Sequence, residues 1–298
     1  MRKIIAFLLL LAWALPAHAA LNVFACEPEW AALTQALAGE KASIYTATGA
    51  LQDPHRIEAR PSLIAKARRA NLVVCTGAEL EMAWLPVVLR ESGNRGILPG
   101  SGGYFEAANS VRMLDTPARL DRADGDVHAR GNPHIQTDAR NFLPIADALS
   151  QRLTQLDPAN TTHYQNSLAA FRKQWRAALE KWEQQAAPLK GIAIVVQHKG
   201  FPYMNNWLGL QEITALEPRP GIEPSAAHLG QVMNQLKQHP AKMVLRAAYQ
   251  DARPSQWVAQ RAHIAAVELP YTVGGNAAAS DLFGLFDDTI ARLLAGAQ

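Results

Sequence analysis

The stretch from Asn160 to Gln185 is the longest helical pattern in the chain, and it limits the possible folds more than any other feature. Tyr164, Leu168, Phe171, Trp175, Leu179 and Trp182 recur at three- and four-residue steps along one face, while Lys173, Arg176, Glu180 and Lys181 mark the opposite, wet face. On either side the pattern changes to short apolar runs alternating with helical segments. Before it, strands at Leu21 to Cys26, Ser43 to Thr46 and Asn71 to Cys75 alternate with helices at Trp30 to Ala38, stopped by Gly39, and at Ser62 to Ala70; a helix at Asp138 to Leu153 follows later. After Pro188-Leu189-Lys190-Gly191 come strands at Ile192 to Gln197, Met243 to Arg246 and Ile264 to Leu269, with helices at Ser225 to His239, Pro254 to Arg261 and Asp281 to Leu294. Such alternation gives parallel sheets covered by helices. The chain therefore reads as α/β with two lobes, 20–158 and 188–298, each a parallel sheet flanked by helices, joined by one long helix over 159–187. A single helical connection is stiffer than several crossing strands, which predicts a small opening motion rather than a wide hinge closure.

The N-terminus addresses the compartment. Arg2 and Lys3 precede an apolar run from Ile4 to Leu15, and Ala17-His18-Ala19 supplies a small-x-small cleavage pattern, so residues 1–19 read as a signal peptide with the mature chain starting at Ala20. The run is shorter than the roughly 20 residues that span a bilayer, and Cys26 lies too far on for lipid attachment at the cleavage point. The expectation is a soluble periplasmic protein. Losing Arg2 and Lys3 removes two units from a formal charge of +3, so the pI of 8.9 does not point to nucleic acid. A composition of 49% hydrophobic and 18% charged residues suits two ordinary cores. Two cysteines in an oxidising compartment suggest one disulfide. Cys26 and Cys75 each end an apolar run, and a bond is possible if those runs are neighbouring parallel strands.

Loops at the carboxyl ends of parallel strands gather at one edge, where ligands bind. Asp53-Pro54-His55 and Asn132-Pro133-His134 are near-identical triplets, and His198 follows the apolar run Ile192 to Val196. A proline fixes its own φ and pushes the residue before it toward an extended conformation, so each Pro-His pair projects an imidazole from a stiff loop. Neutral imidazole is the commonest nitrogen ligand for zinc, and three imidazoles with one carboxylate satisfy a tetrahedral ion. The polar stretch from Asp121 to His134 holds three aspartates and also His128; it is either a solvated surface loop or a collar that captures metal. His163, His228, His239 and His263 read as surface or packed residues, and Trp84, Trp175, Trp182, Trp207 and Trp257 as packing residues. Phe201 and Tyr203, close after His198, are expected behind the site.

Taken in order, Asp-Pro-His, Asn-Pro-His, Gln197-His198 and Glu223-Pro224-Ser225, with the long helix between the second and third, resemble the zinc- and manganese-binding solute receptors of ABC transporters, the ZnuA and TroA type. The match covers essentially the whole mature chain. It implies a receptor rather than an enzyme, one that captures a single Zn(II) between two lobes and delivers it to an ABC transporter membrane permease. It also places His55, His134 and His198 at the three imidazole positions. Zinc-type members typically have histidine at the third position, where manganese-type members often carry a carboxylate, and imidazole-rich sites suit Zn²⁺ better than the harder Mn²⁺.

The fourth position departs from the family pattern, because the usual aspartate aligns with Pro270. Asp281, Glu268 or a water then completes the metal site; Asp281 is also a natural helix N-cap. Deleting Asp121 to His128 is expected to slow acquisition of zinc, and the 121–131 loop is the candidate contact for a periplasmic zinc chaperone. The alternatives are a manganese or other divalent-metal receptor of the same fold, a family member that takes a chelated metal or acts as an adhesin, and a mononuclear zinc hydrolase. Three histidines with an open position can activate water, but the chain has no His-Glu-x-x-His helix and no Gly-x-Ser-x-Gly elbow. A monomer is expected.

Overall fold

Two wholly parallel sheets with the same strand order organise the chain. In the first, β1 (Leu21–Ala25), β2 (Ala42–Thr46), β3 (Leu72–Cys75) and β4 (Tyr104–Glu106) lie in the order β2-β1-β3-β4. In the second, β5 (Ala193–Val196), β6 (Gln211–Ala215), β7 (Met243–Ala247) and β8 (Ala265–Leu269) lie in the order β6-β5-β7-β8. The computed structural model describes residues 20–119, 125 and 128–298, so the signal segment and Asp121, Asp124 and Asp126 of the polar loop lie outside the described residues. Strands covered on both faces need apolar side chains at every position, and β3, with the sequence LVVC, is buried throughout. Strand order reverses at the β1–β3 and β5–β7 joints, which places a ligand crevice at the carboxyl ends of those strands in each lobe.

Helices α1 (Pro28–Ala38), α2 (Pro61–Arg69) and α3 (Leu85–Ser92) each carry proline in the first turn, where its missing N–H would lack an intrahelical partner anyway. They are followed by α4 (Phe142–Leu156), α5 (Thr161–Ala186), α6 (Pro202–Leu208), α7 (Ala226–Gln238), α8 (Ala252–Ala262) and α9 (Leu282–Gly296). Helix α5 is the long connection, and it buries Tyr164, Phe171, Trp175, Leu179 and Trp182 along the expected face. Trp175 stacks on Phe171 at 5.2 Å and meets Trp182 at 5.1 Å and Phe286 of α9 at 5.7 Å. One continuous core runs from Val23 and Val74 of the first sheet, through these aromatic rings, to Val196 and Leu245 of the second. Smaller cores under α2 and α3, and under α7 and α8, cover the outer sheet faces.

The adjacency of β1 and β3 brings Cys26 and Cys75 into a disulfide, with Cα atoms 4.8 Å apart. The helix expected from Asp138 begins instead at Phe142 and runs to Leu156, because 3₁₀ turns at Ile135–Thr137 and Ala139–Asn141 come first, the second capped by Asp138. Strand β4 has 3 residues and α6 has 7, too short to show a period in the sequence. No helix among the described residues is long and apolar enough to cross a membrane.

Candidate metal centre

Each of the three histidines is held by its own local device. After β2, the Asp53 carboxylate accepts from the His55 backbone N–H at 3.0 Å, and Trp84 Nε1 donates to the Pro54 carbonyl at 3.1 Å, pinning the Pro-His peptide. The Asn132 side chain accepts from the His134 N–H at 3.0 Å in the same way, so both triplets are Asx-type turns that aim the third residue. Tyr203 of α6 donates its hydroxyl to the Asn132 carbonyl at 2.7 Å and accepts from the Leu114 N–H at 3.0 Å. Asn132 Nδ2 donates to the Lys199 carbonyl at 2.7 Å, so the second lobe steadies the loop that carries His134. His198 follows β5 at the sheet's carboxyl edge, with Nδ1 2.7 Å from Glu217 Oε2.

The rings converge. The ligand nitrogens of His55, His134 and His198 all lie within 4.8 Å of one another, and the Nε2 atoms of His134 and His198 are 3.1 Å apart. Two nitrogens bound to one tetrahedral zinc at about 2.0–2.1 Å stand roughly 3.3 Å apart, so the His134–His198 pair already has the spacing of two ligands on one ion. Nδ1 of His55 faces Asp53 Oδ1 at 2.8 Å, as Nδ1 of His198 faces Glu217. A carboxylate at Nδ1 fixes the tautomer and turns the Nε2 lone pair inward. Among the described residues His55 Nε2 is buried without a hydrogen-bond partner, as expected of a ligand atom.

Electrostatics favour the form that binds metal. Burial, followed by the fields of His55, His198 and His128, holds the His134 imidazole well below its ordinary pKa, so it stays neutral. Burial works to raise the Asp53 carboxyl, but the hydrogen bonds and charge of His55 prevail and keep it lowered and ionised. A cavity of about 790 Å³ opens on His134 and His198 and is lined also by Asp115, His128, Lys199 and Glu212. A smaller one of about 180 Å³ reaches His55 and His198 from the other side, beside Tyr249.

Neither carboxylate foreseen for the fourth position joins the trio. Asp281 is exposed and caps α9, accepting from the Gly284 N–H at 2.8 Å; a short carboxylate at a helix start finds an orphan donor there. Glu268 stands opposite Arg246 in the β7–β8 register and forms an ion pair with it. The chain after β8 instead brings in Tyr271, at φ 68°, whose ring lies 5.7 Å from His134 and 5.4 Å from Phe201. His128, in a loop without periodicity, has its ring 5.6 Å from His55, a proximity that the sequence does not signal. Cys26, Cys75 and Glu81 also cluster, but both sulfurs are in the disulfide. His163 Nε2 lies 2.9 Å from the Ala38 carbonyl and His228 Nε2 3.3 Å from the Ala215 carbonyl, both outside the trio. Asp281→Ala is therefore expected to lower unfolding stability by about 1 kcal/mol through the lost cap and to leave bound-metal stoichiometry unchanged. Loss of the metal in that variant would return Asp281 to the ligand set.

Two parallel-sheet lobes joined by one long helix bring imidazoles from both into one cleft, and the family match makes this class the substrate-binding receptors of ABC transporters rather than enzymes. More particularly, the chain belongs to the family of the periplasmic zinc-uptake complex component A, ZnuA, whose model matches residues 23–296. It is 23% identical over 241 residues to the manganese ABC transporter substrate-binding lipoprotein PsaA of Streptococcus pneumoniae, covering 78% of this chain and 73% of that one. It is 28% identical over 204 residues to the high-affinity zinc uptake system protein ZnuA of Yersinia pestis, covering 64% of each. Among solved structures, a crystal structure of ZnuA superposes with a TM-score of 0.74 at 20% identity over 92% of this chain and 99% of that one. A manganese-bound periplasmic metal-binding protein from Candidatus Liberibacter asiaticus gives 0.75 at 16% identity over 93% and 99%. At these identities the structural likeness is one of fold.

Proposed function

We propose that the chain is a periplasmic receptor that captures one Zn(II) in the cleft through His55, His134 and His198 and delivers it to an ABC transporter permease. The observation that carries the choice of zinc is the donor set: three imidazole nitrogens converge, and among the described residues no carboxylate joins them. Imidazole suits Zn²⁺, whereas Mn²⁺ favours carboxylate oxygen. A water drawn from the larger cavity completes a tetrahedral shell. The first lobe, 20–158, supplies His55 and His134, the second, 188–298, supplies His198, and the helix over 159–187 joins them in a protein that acts as a monomer. The 121–131 loop, whose His128 reaches the cavity wall, is the surface on which a periplasmic zinc chaperone would hand over its ion.

Metal content and competition titration with Zn²⁺ and Mn²⁺ on protein purified from the periplasm test this reading. One tightly held zinc per chain that excess manganese does not displace is the expected result. Equal or tighter binding of manganese would make the chain a manganese receptor of the same fold. Because zinc binds only the folded state, melting temperature should also rise with zinc concentration as RT ln(1 + [Zn]/Kd) requires.

A further inference from the structure

The His55 loop of the first lobe touches the second lobe at one turn beside the site. Arg56 Nη2 donates to the Gly221 carbonyl at 2.5 Å, and its Nε lies 3.9 Å from Asp53 Oδ2, the carboxylate whose other oxygen faces His55 Nδ1. On the far side, the Gly221 N–H donates at 2.8 Å to the same Glu217 Oε2 that faces His198 Nδ1 at 2.7 Å. The Glu217 N–H is anchored to the Gln197 carbonyl at 3.0 Å, next to His198. Gly221 takes φ 77°, a left-handed conformation in which L side chains are strained. The first lobe meets this turn a second time at Gly125, which packs so close that a Cβ there would lie 2.4 Å from the Pro220 carbonyl oxygen.

We propose that Arg56 is the interlobe clasp of the site: it closes a chain of polar contacts from His55 through Asp53, Arg56, Gly221 and Glu217 to His198, and so governs how fast a bound ion leaves. The proposal rests on the reading of the histidine trio as the ion's site. Release requires the lobes to part, and the Arg56–Gly221 bond is broken whenever they do. The Arg56 side chain is 61% exposed, so it adds little to the core and its charge is screened by solvent. Its contribution belongs to the closed state. Arg56 is thus a positioning residue, joined to two ligands through the carboxylates that orient them, and it touches neither ring in the hydrogen bonds described above.

Electrostatics alone predicts the opposite sign, which makes the test sharp. A guanidinium near a bound dication repels it, so if charge were all that mattered, Arg56→Ala would slow release. Loss of the clasp accelerates it, by about tenfold for one charge-assisted hydrogen bond missing from the closed state. The experiment is stopped-flow release of zinc into excess chelator for the wild type, Arg56→Ala and Arg56→Lys, with Co²⁺ absorption spectra of each. The expected result is about tenfold faster release in Arg56→Ala, partial recovery in Arg56→Lys, and unchanged association rate, Co²⁺ spectrum and metal-free melting temperature. Unchanged or slower release overturns the proposal, as does faster release accompanied by an altered Co²⁺ spectrum or a lowered metal-free melting temperature. If the wild type binds neither Zn²⁺ nor Co²⁺ at one equivalent, the reading of the site falls, and the clasp falls with it.

Discussion

His134→Ala should abolish tight zinc binding, lowering affinity on the order of several hundredfold. Of the three imidazoles, His134 is central: it is 1% exposed and its ring lies 5.1 Å from that of His55 and 5.2 Å from that of His198. A tetrahedral zinc held by roughly 10–16 kcal/mol through four ligands draws about 2.5–4 kcal/mol from each, and every 1.4 kcal/mol is tenfold in affinity. The carboxylates behind the rings carry less. Asp53→Ala and Glu217→Ala free an Nδ1 without removing a ligand, and such changes cost roughly 10–100-fold. The predicted order is therefore His134→Ala far weaker than Glu217→Ala, and Glu217→Ala weaker than the wild type, measured by chelator competition on variants whose circular dichroism shows them folded. A His134→Ala protein within tenfold of the wild type would place the ion elsewhere. The same order should hold with Co²⁺, whose absorption also reports loss of tetrahedral symmetry.

The sequence shows the site in part because the two Asx-Pro-His triplets are local. Their aim depends on residues two positions apart, Asp53 to His55 and Asn132 to His134, and short-range chemistry of this kind survives without any knowledge of the fold. The long amphipathic face of α5 is legible for the same reason. The fate of the carboxylates depends on distant partners and is not. Asp281 is close in sequence to the strand end that should have carried an acid, yet α9 begins one residue later and takes its side chain as a cap. Glu268 depends on register, which sets it opposite Arg246. Tyr203, which ties the His134 loop to the second lobe, is separated from Asn132 by 71 positions; its place behind the site follows from closeness to His198, but its hydrogen bonds do not. Strands β4 and β6 are not legible in the sequence either, since neither has the uninterrupted apolar run that marks β3 and β5.

The metal-free protein should lose stability as pH rises from about 5 to 8, and Glu29→Gln combined with Glu81→Gln should reduce that loss, leaving the part due to Glu27. Glu27, Glu29 and Glu81 are 3%, 1% and 3% exposed at the carboxyl ends of β1 and β3. Burial is the first cause in each: it pushes Glu29 and Glu81 up to about 7, and Glu27, which also feels the charges of Glu81 and Glu29, well above the carboxylate range. Hydrogen bonds oppose burial only in part: Thr76 donates its N–H at 3.3 Å and its hydroxyl at 3.2 Å to Glu27 Oε2. Thr272 donates to Glu29 Oε2 at 2.5 Å, the Gly77 N–H reaches Glu81 at 3.2 Å, and among the described residues Glu27 Oε1 is buried without a partner. In the unfolded chain these acids ionise near pH 4.3, so between that pH and about 7 the folded state holds protons that the unfolded state has released. Stability is then complete below the unfolded pKa and declines as pH rises through the folded one. For each of the two acids a shift of roughly 2.5 units corresponds to about 3 kcal/mol, or roughly 5 °C in melting temperature for a chain of this size. His134 works the other way, because an imidazole held below its ordinary pKa favours folding as pH rises toward 6.5. That contribution is common to both proteins, so the difference between the amide variant and the wild type isolates the acids. The variant should melt higher at pH 8 and nearly equally at pH 5, since glutamine keeps one acceptor oxygen at each position and removes the charge. Parallel melting curves across that range would show that these carboxyls are relieved of their charge in some other way. Because Thr272 lies beside Tyr271, whose ring packs on His134, the Thr272–Glu29 hydrogen bond also ties the second lobe's loop to the first at the edge of the metal centre.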